Sequence, residues 1–335
     1  MKIFITGVAG FLGSHLADYF IKKGHIVSGC DDLSGGSRDN LHKKVIFWEQ
    51  DCTDWEDMNM VLGKEKPDIV YHLAAHAHEG LSVFSPSLIS KSVYQSTANM
   101  LSVSARHNVK KFVYASSMAR YGSIKTPFYE HDRCKPQDPY GIAKYSAEFL
   151  VKNVCDTHGM DWSIAVPHNI IGTKQKYDDP FRNVVSIMIN MMLQGKQPII
   201  YGDGGQMRCF SFVQDCIYCL VQMATNDITS KQIINIGPDE EFISINDLAK
   251  KIAKLLKFKL KPIYMKDRPQ EVRYATCNSD TARNWLDYKT KTTLDEGLEI
   301  MIKWIKEKGT KPFAYHLPIE IKNKLLPKAW RNRLL

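Results

Sequence analysis

Through its first half the chain alternates two patterns of apolar and polar positions. Short apolar runs stand at Ile3–Thr6, His25–Cys30, Val45–Trp48, Asp68–Leu73, Phe112–Ala115 and Ser163–Val166. Between them, apolar residues recur three and four positions apart, which predicts helices over Phe11–Lys23, Trp55–Gly63, Leu88–His107 and Tyr140–His158. Short apolar strands alternating with helices imply βαβ units and a parallel sheet. Crossovers in such a sheet are right-handed, and ligands sit beyond the carboxyl ends of its strands. After Pro167 the pattern turns irregular, with Gly172, Pro180, Gly195, Pro198 and the turn Tyr201–Gly205. Later helices are expected at Ser244–Leu256 and Leu294–Lys308, within a smaller second domain. There is no internal repeat and no low-complexity linker.

Composition narrows the class. The 335 residues are 44 % hydrophobic and 24 % charged, the balance of a globular chain that buries its own core. No window reaches the ~18 uncharged apolar residues of a spanning helix. The opening MKIFITGVAGFLGSHL leads straight into a strand and glycines, unlike a secretory signal. Eight scattered cysteines fit reduced thiols in a cytoplasm better than a disulfide framework. The net charge of +9 is concentrated at the end: nine Lys and Arg against two Glu lie from Met301 to Leu335. No base-reading or stacking motif accompanies them, so nucleic acid is not the expected partner. The expected arrangement is a solvated tail packed on its own domain, with weak membrane-surface or partner docking through Trp330 as the alternative.

Directly after the first strand comes Gly7-Val-Ala-Gly10-Phe-Leu-Gly13. Glycines here let the backbone turn tightly and approach a pyrophosphate, and the following helix aims free N–H groups and its positive dipole end at the phosphates. Asp31, at the end of the second strand, is placed to accept hydrogen bonds from an adenosine ribose and to repel a 2′-phosphate. NAD is therefore expected over NADP. Asp32 is the neighbouring candidate.

Tyr140 and Lys144 lie four apart on one helix face. An ammonium beside a phenol favours phenolate, which would make Tyr140 a general base near neutrality. At the end of the fifth strand, a serine of Ser116-Ser117 can hydrogen-bond the same substrate oxygen. Two further constellations are discounted. Cys216-Ile-Tyr-Cys219 has no second pair and reads as core, and His76-x-His78-Glu79 lacks a third ligand, so no metal is expected.

The glycine turn, Asp31, the Ser117 strand and Tyr140/Lys144 together resemble the extended short-chain dehydrogenase/reductases. Within them, the likeness is to the NAD-dependent epimerase/dehydratase family and its UDP-hexose 4-epimerases. The resemblance implies Ser117, Tyr140 and Lys144 as the catalytic group. It also implies cofactor contacts from Gly7, Gly10, Phe11, Leu12, Gly13, Asp31, Asp32, Asp51, Cys52, Leu73, Ala74, Ala75 and Pro167. In this family Tyr takes a hydroxyl proton while the sugar C–H passes its hydrogen to NAD, and members differ in how the resulting ketone then reacts. Dehydratases and decarboxylases carry an acid after the catalytic Ser or Thr, and 3,5-epimerases a Cys. Here the pair is Met118-Ala119, which cannot exchange a proton, so transient oxidation at C4 and return of the same hydrogen is expected. A 4-dehydrogenase or ketoreductase that releases its ketone is the alternative, and a dehydratase or decarboxylase of the same family is a more distant one.

The resemblance further places a nucleoside diphosphate sugar, UDP before GDP, against His78, Ser117, Met118, Asn169, Asn183, Ile199, Tyr201, Arg208, Arg268 and Glu271. Two separated arginines suit a diphosphate. Ala275 falls where related 4-epimerases gate the sugar's 2-substituent, and a small residue there leaves room for an acetamido group. Val93 stands where the family usually has Asn, so the middle of that helix is expected to be built differently. The expected fold is α/β, a Rossmann-type doubly wound parallel sheet with a smaller mixed α/β substrate domain. The NAD-binding domain takes residues 1–172, with 208–236 folding back into it. The nucleotide-sugar domain takes 173–335 with the basic tail. A homodimer through the Leu88–His107 and Tyr140 helices completes the expectation.

Overall fold

The computed structural model describes residues 1–335. Seven parallel strands make the central sheet: β1 (Lys2–Thr6), β2 (Ile26–Asp31), β3 (Ile46–Glu49), β4 (Ile69–His72), β5 (Lys111–Ala115), β6 (Asp161–Pro167) and β7 (Gln232–Ile236). Their order is β7-β6-β5-β4-β1-β2-β3. The order reverses between β1 and β4, where Ile5 pairs with Gly29 on one side and Tyr71 on the other. Crossovers leave in opposite directions there and open a crevice, which is where open α/β sheets bind ligands.

Helices cover both faces, as strands that are apolar on both sides require. On one face, α1 (Phe11–Lys22) and α6 (Val213–Thr225) bury Leu16, Phe20, Cys216 and Leu220 against Ile3, Ile5 and Tyr71. On the other, α2 (Trp55–Glu65), α3 (Ser96–Arg106) and α4 (Pro139–His158) pack Met58, Met100 and Val151 against Phe4, Val70 and Phe112. Residues 213–236 thus return to the sheet as α6 and edge strand β7, with Ile234 opposite Ala165. Cys216 and Cys219 lie wholly buried on α6, and all eight cysteines are free thiols. A third cluster joins α5 (Val184–Leu193), α7 (Ile245–Leu256) and α8 (Leu294–Lys308) beyond the strand ends. No helix is long and apolar enough to cross a membrane.

The continuous helix expected over Leu88–His107 is interrupted. A short helix at Pro86–Ser90 widens over Lys91–Gln95 to a wider turn, π-helical in form, before α3 begins. Val93 is buried at the centre, and its carbonyl accepts from Thr97 Oγ1 at 2.6 Å and Ser96 Oγ at 3.2 Å. Wide turns of this kind cluster at functional sites, and this one brings Lys91 and Ser92 to the crevice.

The tail departs from a purely solvated segment. Its cations stay in solvent, but Leu326, Ala329 and Trp330 are buried. The Trp330 ring stands edge-on to Phe181 at 5.0 Å and to Phe84 at 6.1 Å. Glu320 accepts from the Ser87 and Leu88 amides and so caps the Pro86–Ser90 helix. Trp330 is therefore committed to the protein interior and is not free to meet a membrane.

Candidate active site

The crevice at the strand ends holds a cleft of about 570 Å³. Its floor is the turn after β1. A Cβ on Gly13 would overlap the carbonyl oxygen of Gly7, so only glycine lets α1 start this close to the turn. The Ala74 backbone lies 3.1 Å from where a Gly7 Cβ would stand, closing the same floor from β4. Asp31 braces the turn, accepting from the Ala9 amide at 3.0 Å and the Leu33 amide at 2.8 Å. Burial raises its carboxyl pKa, with Asp32 adding to the effect, while those amides pull it back. Asp32 is exposed at the rim and bonded to Ser34. Gly10, Phe11, Leu12, Asp51, Cys52, Leu73, Ala75 and Pro167 complete the lining of this half. A cradle that a single Cβ would fill, set before a helix N-terminus with a carboxylate one strand away, fits a dinucleotide.

Ser117, Tyr140 and Lys144 come together in the middle of the cleft. Asp138 caps α4 through the Gly141 amide at 2.9 Å, and Pro139 opens the first turn. At Gly141 a Cβ would stand 2.5 Å from the Ala119 carbonyl oxygen. Its absence seats the start of α4, and with it Tyr140, against the loop that carries Ser117. One turn on, Lys144 Nζ donates to the Ala115 carbonyl at 2.6 Å and lies 5.9 Å from the centre of the Tyr140 ring. Behind this group His72 bridges Thr6 and Thr97, its pKa lowered to about 3 by burial and by Lys144, so it stays neutral.

Without the cofactor's charge, the ammonium does not acidify the phenol. Burial drives the Tyr140 pKa well above its ordinary value, and the neighbouring Ser117 hydroxyl brings it only part of the way back. The same burial brings Lys144 down to about 7, so it is not the strong fixed cation that the spacing suggested. Within the protein alone, removal of water outweighs the pairing.

The substrate half is lined by Asn169, Asn183, Ile199, Tyr201, Arg208, Arg268 and Glu271. Asn183 also caps α5. Arg268 forks onto Glu271 at 2.8 and 3.1 Å and lies 4.9 Å over the Tyr201 ring. These two residues therefore present a joined pair, not separate contacts. Arg208 spends three hydrogen bonds on the Met207, Val272 and Arg273 carbonyls, which fixes its orientation.

Three expected residues do not reach the cleft. His78 is fully enclosed, bonded to Asp179 at 3.0 Å, because the loop after β4 turns it inward toward α5. Met118 is buried, with its sulfur against the Asn169 amide at 3.5 Å. Ala275 is buried in the same apolar cluster as Met118, so it does not gate the sugar from the cleft wall. Glu79, in the His76–Glu79 loop discounted as a metal site but expected to face the sugar, lines the cleft. The sequence reading missed Arg182 as a lining residue, although it sits beside Asn183. Phe181 and Leu335 also line the cleft, and no local signal marks the chain's last residue as part of it.

Fold and cleft together define an enzyme of the Rossmann-type dinucleotide class. The model of the NAD dependent epimerase/dehydratase family matches residues 3–237, and this chain belongs to that family. A putative UDP-glucose 4-epimerase of Methanocaldococcus jannaschii is 32 % identical over 91 % of this chain and 98 % of its own length. Among solved structures, the UDP-glucose 4-epimerase of Thermotoga maritima with UDP-glucose superposes with a TM-score of 0.86 at 30 % identity, covering 92 % of this chain and 99 % of that one. The UDP-glucuronic acid 4-epimerase of Bacillus cereus, solved with UDP-glucuronic acid and NAD, gives 0.85 at 27 %, covering 92 % and 100 %. The cofactor of this family is NAD.

Proposed function

We propose that this protein is a UDP-hexose 4-epimerase. The observation that carries the reading is a cleft in which Ser117, Tyr140 and Lys144 meet while the loop after Ser117 adds no acid or base, Met118 and Ala119 being buried and inert. The named activities of the relatives point the same way.

In this reading Tyr140 Oη takes the proton of the sugar's C4 hydroxyl, and Ser117 Oγ holds the same oxygen in line. Gly7, Gly13 and Asp31 would hold NAD, which would supply hydride acceptance and return at C4. Lys144 lies one turn beneath the phenol and would hold the cofactor's ribose. The ketone turns over within the cleft, and Tyr140 returns the proton to the new hydroxyl. Bonds and electrons balance without added reductant. Arg208 and the Arg268–Glu271 pair hold the diphosphate and nucleoside end, so the sugar swings on a fixed anchor.

Incubation of the purified NAD-loaded protein with UDP-glucose and UDP-N-acetylglucosamine, followed by proton NMR, tests the reading. The expected result is an equilibrium mixture with the galacto isomer. Accumulation of a released ketone, or of an unsaturated or decarboxylated sugar, would replace it with another family chemistry.

A further inference from the structure

The cleft holds a carboxylate that this reaction does not use. Glu79 opens the short helix Glu79–Ser82 and lines the cleft. Its short helix meets Asp138 through Ser82 and Arg268 at Gly80, and Tyr140, Arg208 and Glu271 line the same cleft. That position is between the base and the groups assigned to the diphosphate, where a substrate's sugar must lie.

Its backbone is held in place. Ser82 Oγ donates to the Glu79 carbonyl at 2.6 Å and contacts the Asp138 carboxylate at 3.2 Å, and Asp138 is the cap of the Tyr140 helix. On the next residue a Cβ would stand 3.2 Å from both Arg268 and Trp330, so the loop is packed against both at Gly80. The Glu79 carboxylate itself makes no hydrogen bond or ion pair. The nearby cations are occupied, Arg268 by Glu271 and Arg208 by backbone carbonyls. A carboxylate offers only acceptors, so its natural complement is a donor on the ligand. A second carboxylate brought against it is repelled.

Resting on the epimerase reading, we propose that Glu79 is a specificity residue: it selects sugars that present hydroxyl, amino or acetamido donors and rejects uronates. The family contains both substrate kinds, and an unpaired acid beside the sugar chooses between them.

The test is calorimetry on the NAD-loaded protein with UDP-glucose and UDP-glucuronate at pH 8, for wild type, Glu79→Gln and Glu79→Ala, with turnover followed in parallel. Wild type should bind the glucose form ~30-fold or more tightly than the uronate. Glu79→Gln should narrow that ratio by ~10-fold, chiefly through tighter uronate binding. NAD affinity and melting temperature report that each variant is folded. Equal wild-type affinities, or a ratio unchanged in Glu79→Gln, would overturn the proposal. Absence of turnover on every sugar would instead overturn the epimerase reading, with the binding ratio still deciding the role of Glu79.

Discussion

At the residue scale, burial sets the chemistry of the two key side chains. Tyr140 and Lys144 are nearly inaccessible, and each is pushed toward its neutral form. Tyr140→Phe is therefore expected to lower turnover by ~10³-fold or more while NAD affinity changes less than ~3-fold, since the phenyl ring keeps the packing and only the proton acceptor is lost. Single-turnover kinetics with parallel calorimetry separates the two effects. Glu79 gives a pH signature of opposite sign to an ordinary acid. Desolvation by the cleft walls, then Asp138, raises its carboxyl to about 7 even though the residue keeps contact with solvent, so the native protein holds a proton that the unfolded chain has released between about pH 4.5 and 7. Stability from this group is present at acid pH and lost as pH rises through the raised value. Melting curves should therefore show Glu79→Gln more stable than wild type at pH 8, with the gain gone by pH 5. A gain independent of pH would contradict this.

At the scale of elements, the glycine turn, its helix and the Tyr140 helix were legible because local rules decide them. Gly13 and Gly141 are required by backbone contact, and Asp138-Pro139 announces the start of α4. What was not legible depended on distant neighbours. Val93 alone marked the helix that widens at Lys91–Gln95, but the hydroxyls of Ser96 and Thr97 decide its shape. His78 could not be told from a sugar contact until Asp179, a hundred residues on, was seen to claim it. The tail was least legible. Its charges dominate the sequence, yet Trp330 fixes its place against Phe84, Phe181 and Tyr201. Trp330→Ala should cost about 3 kcal/mol of stability by leaving a cavity in that cluster. It should also raise KM for the nucleotide sugar several-fold, since Tyr201 and Phe181 line the cleft, with little change in NAD affinity. Denaturant titration and steady-state kinetics check both, and an increase confined to NAD would contradict the assignment of the two halves.

At the scale of the whole molecule, the alternating first half was sufficient to place a parallel sheet and the cofactor floor at its strand ends, while the strand order and its switch point came from the fold. The substrate half is assembled from α5, the strand at Ile199–Tyr201, the Arg268 loop and the chain's final residue, elements far apart in sequence that only the fold gathers. The central assertion is that the hydrogen removed from C4 returns to C4 without exchange with water, while Tyr140 handles only the hydroxyl proton. Turnover of UDP-glucose in deuterium oxide, followed by proton NMR of the galacto product, addresses it directly. Retention of protium at every carbon of the hexose is the expected outcome. Deuterium at C3, C4 or C5 would mean that a carbon-bound proton had been exchanged by an acid–base group, and would contradict it.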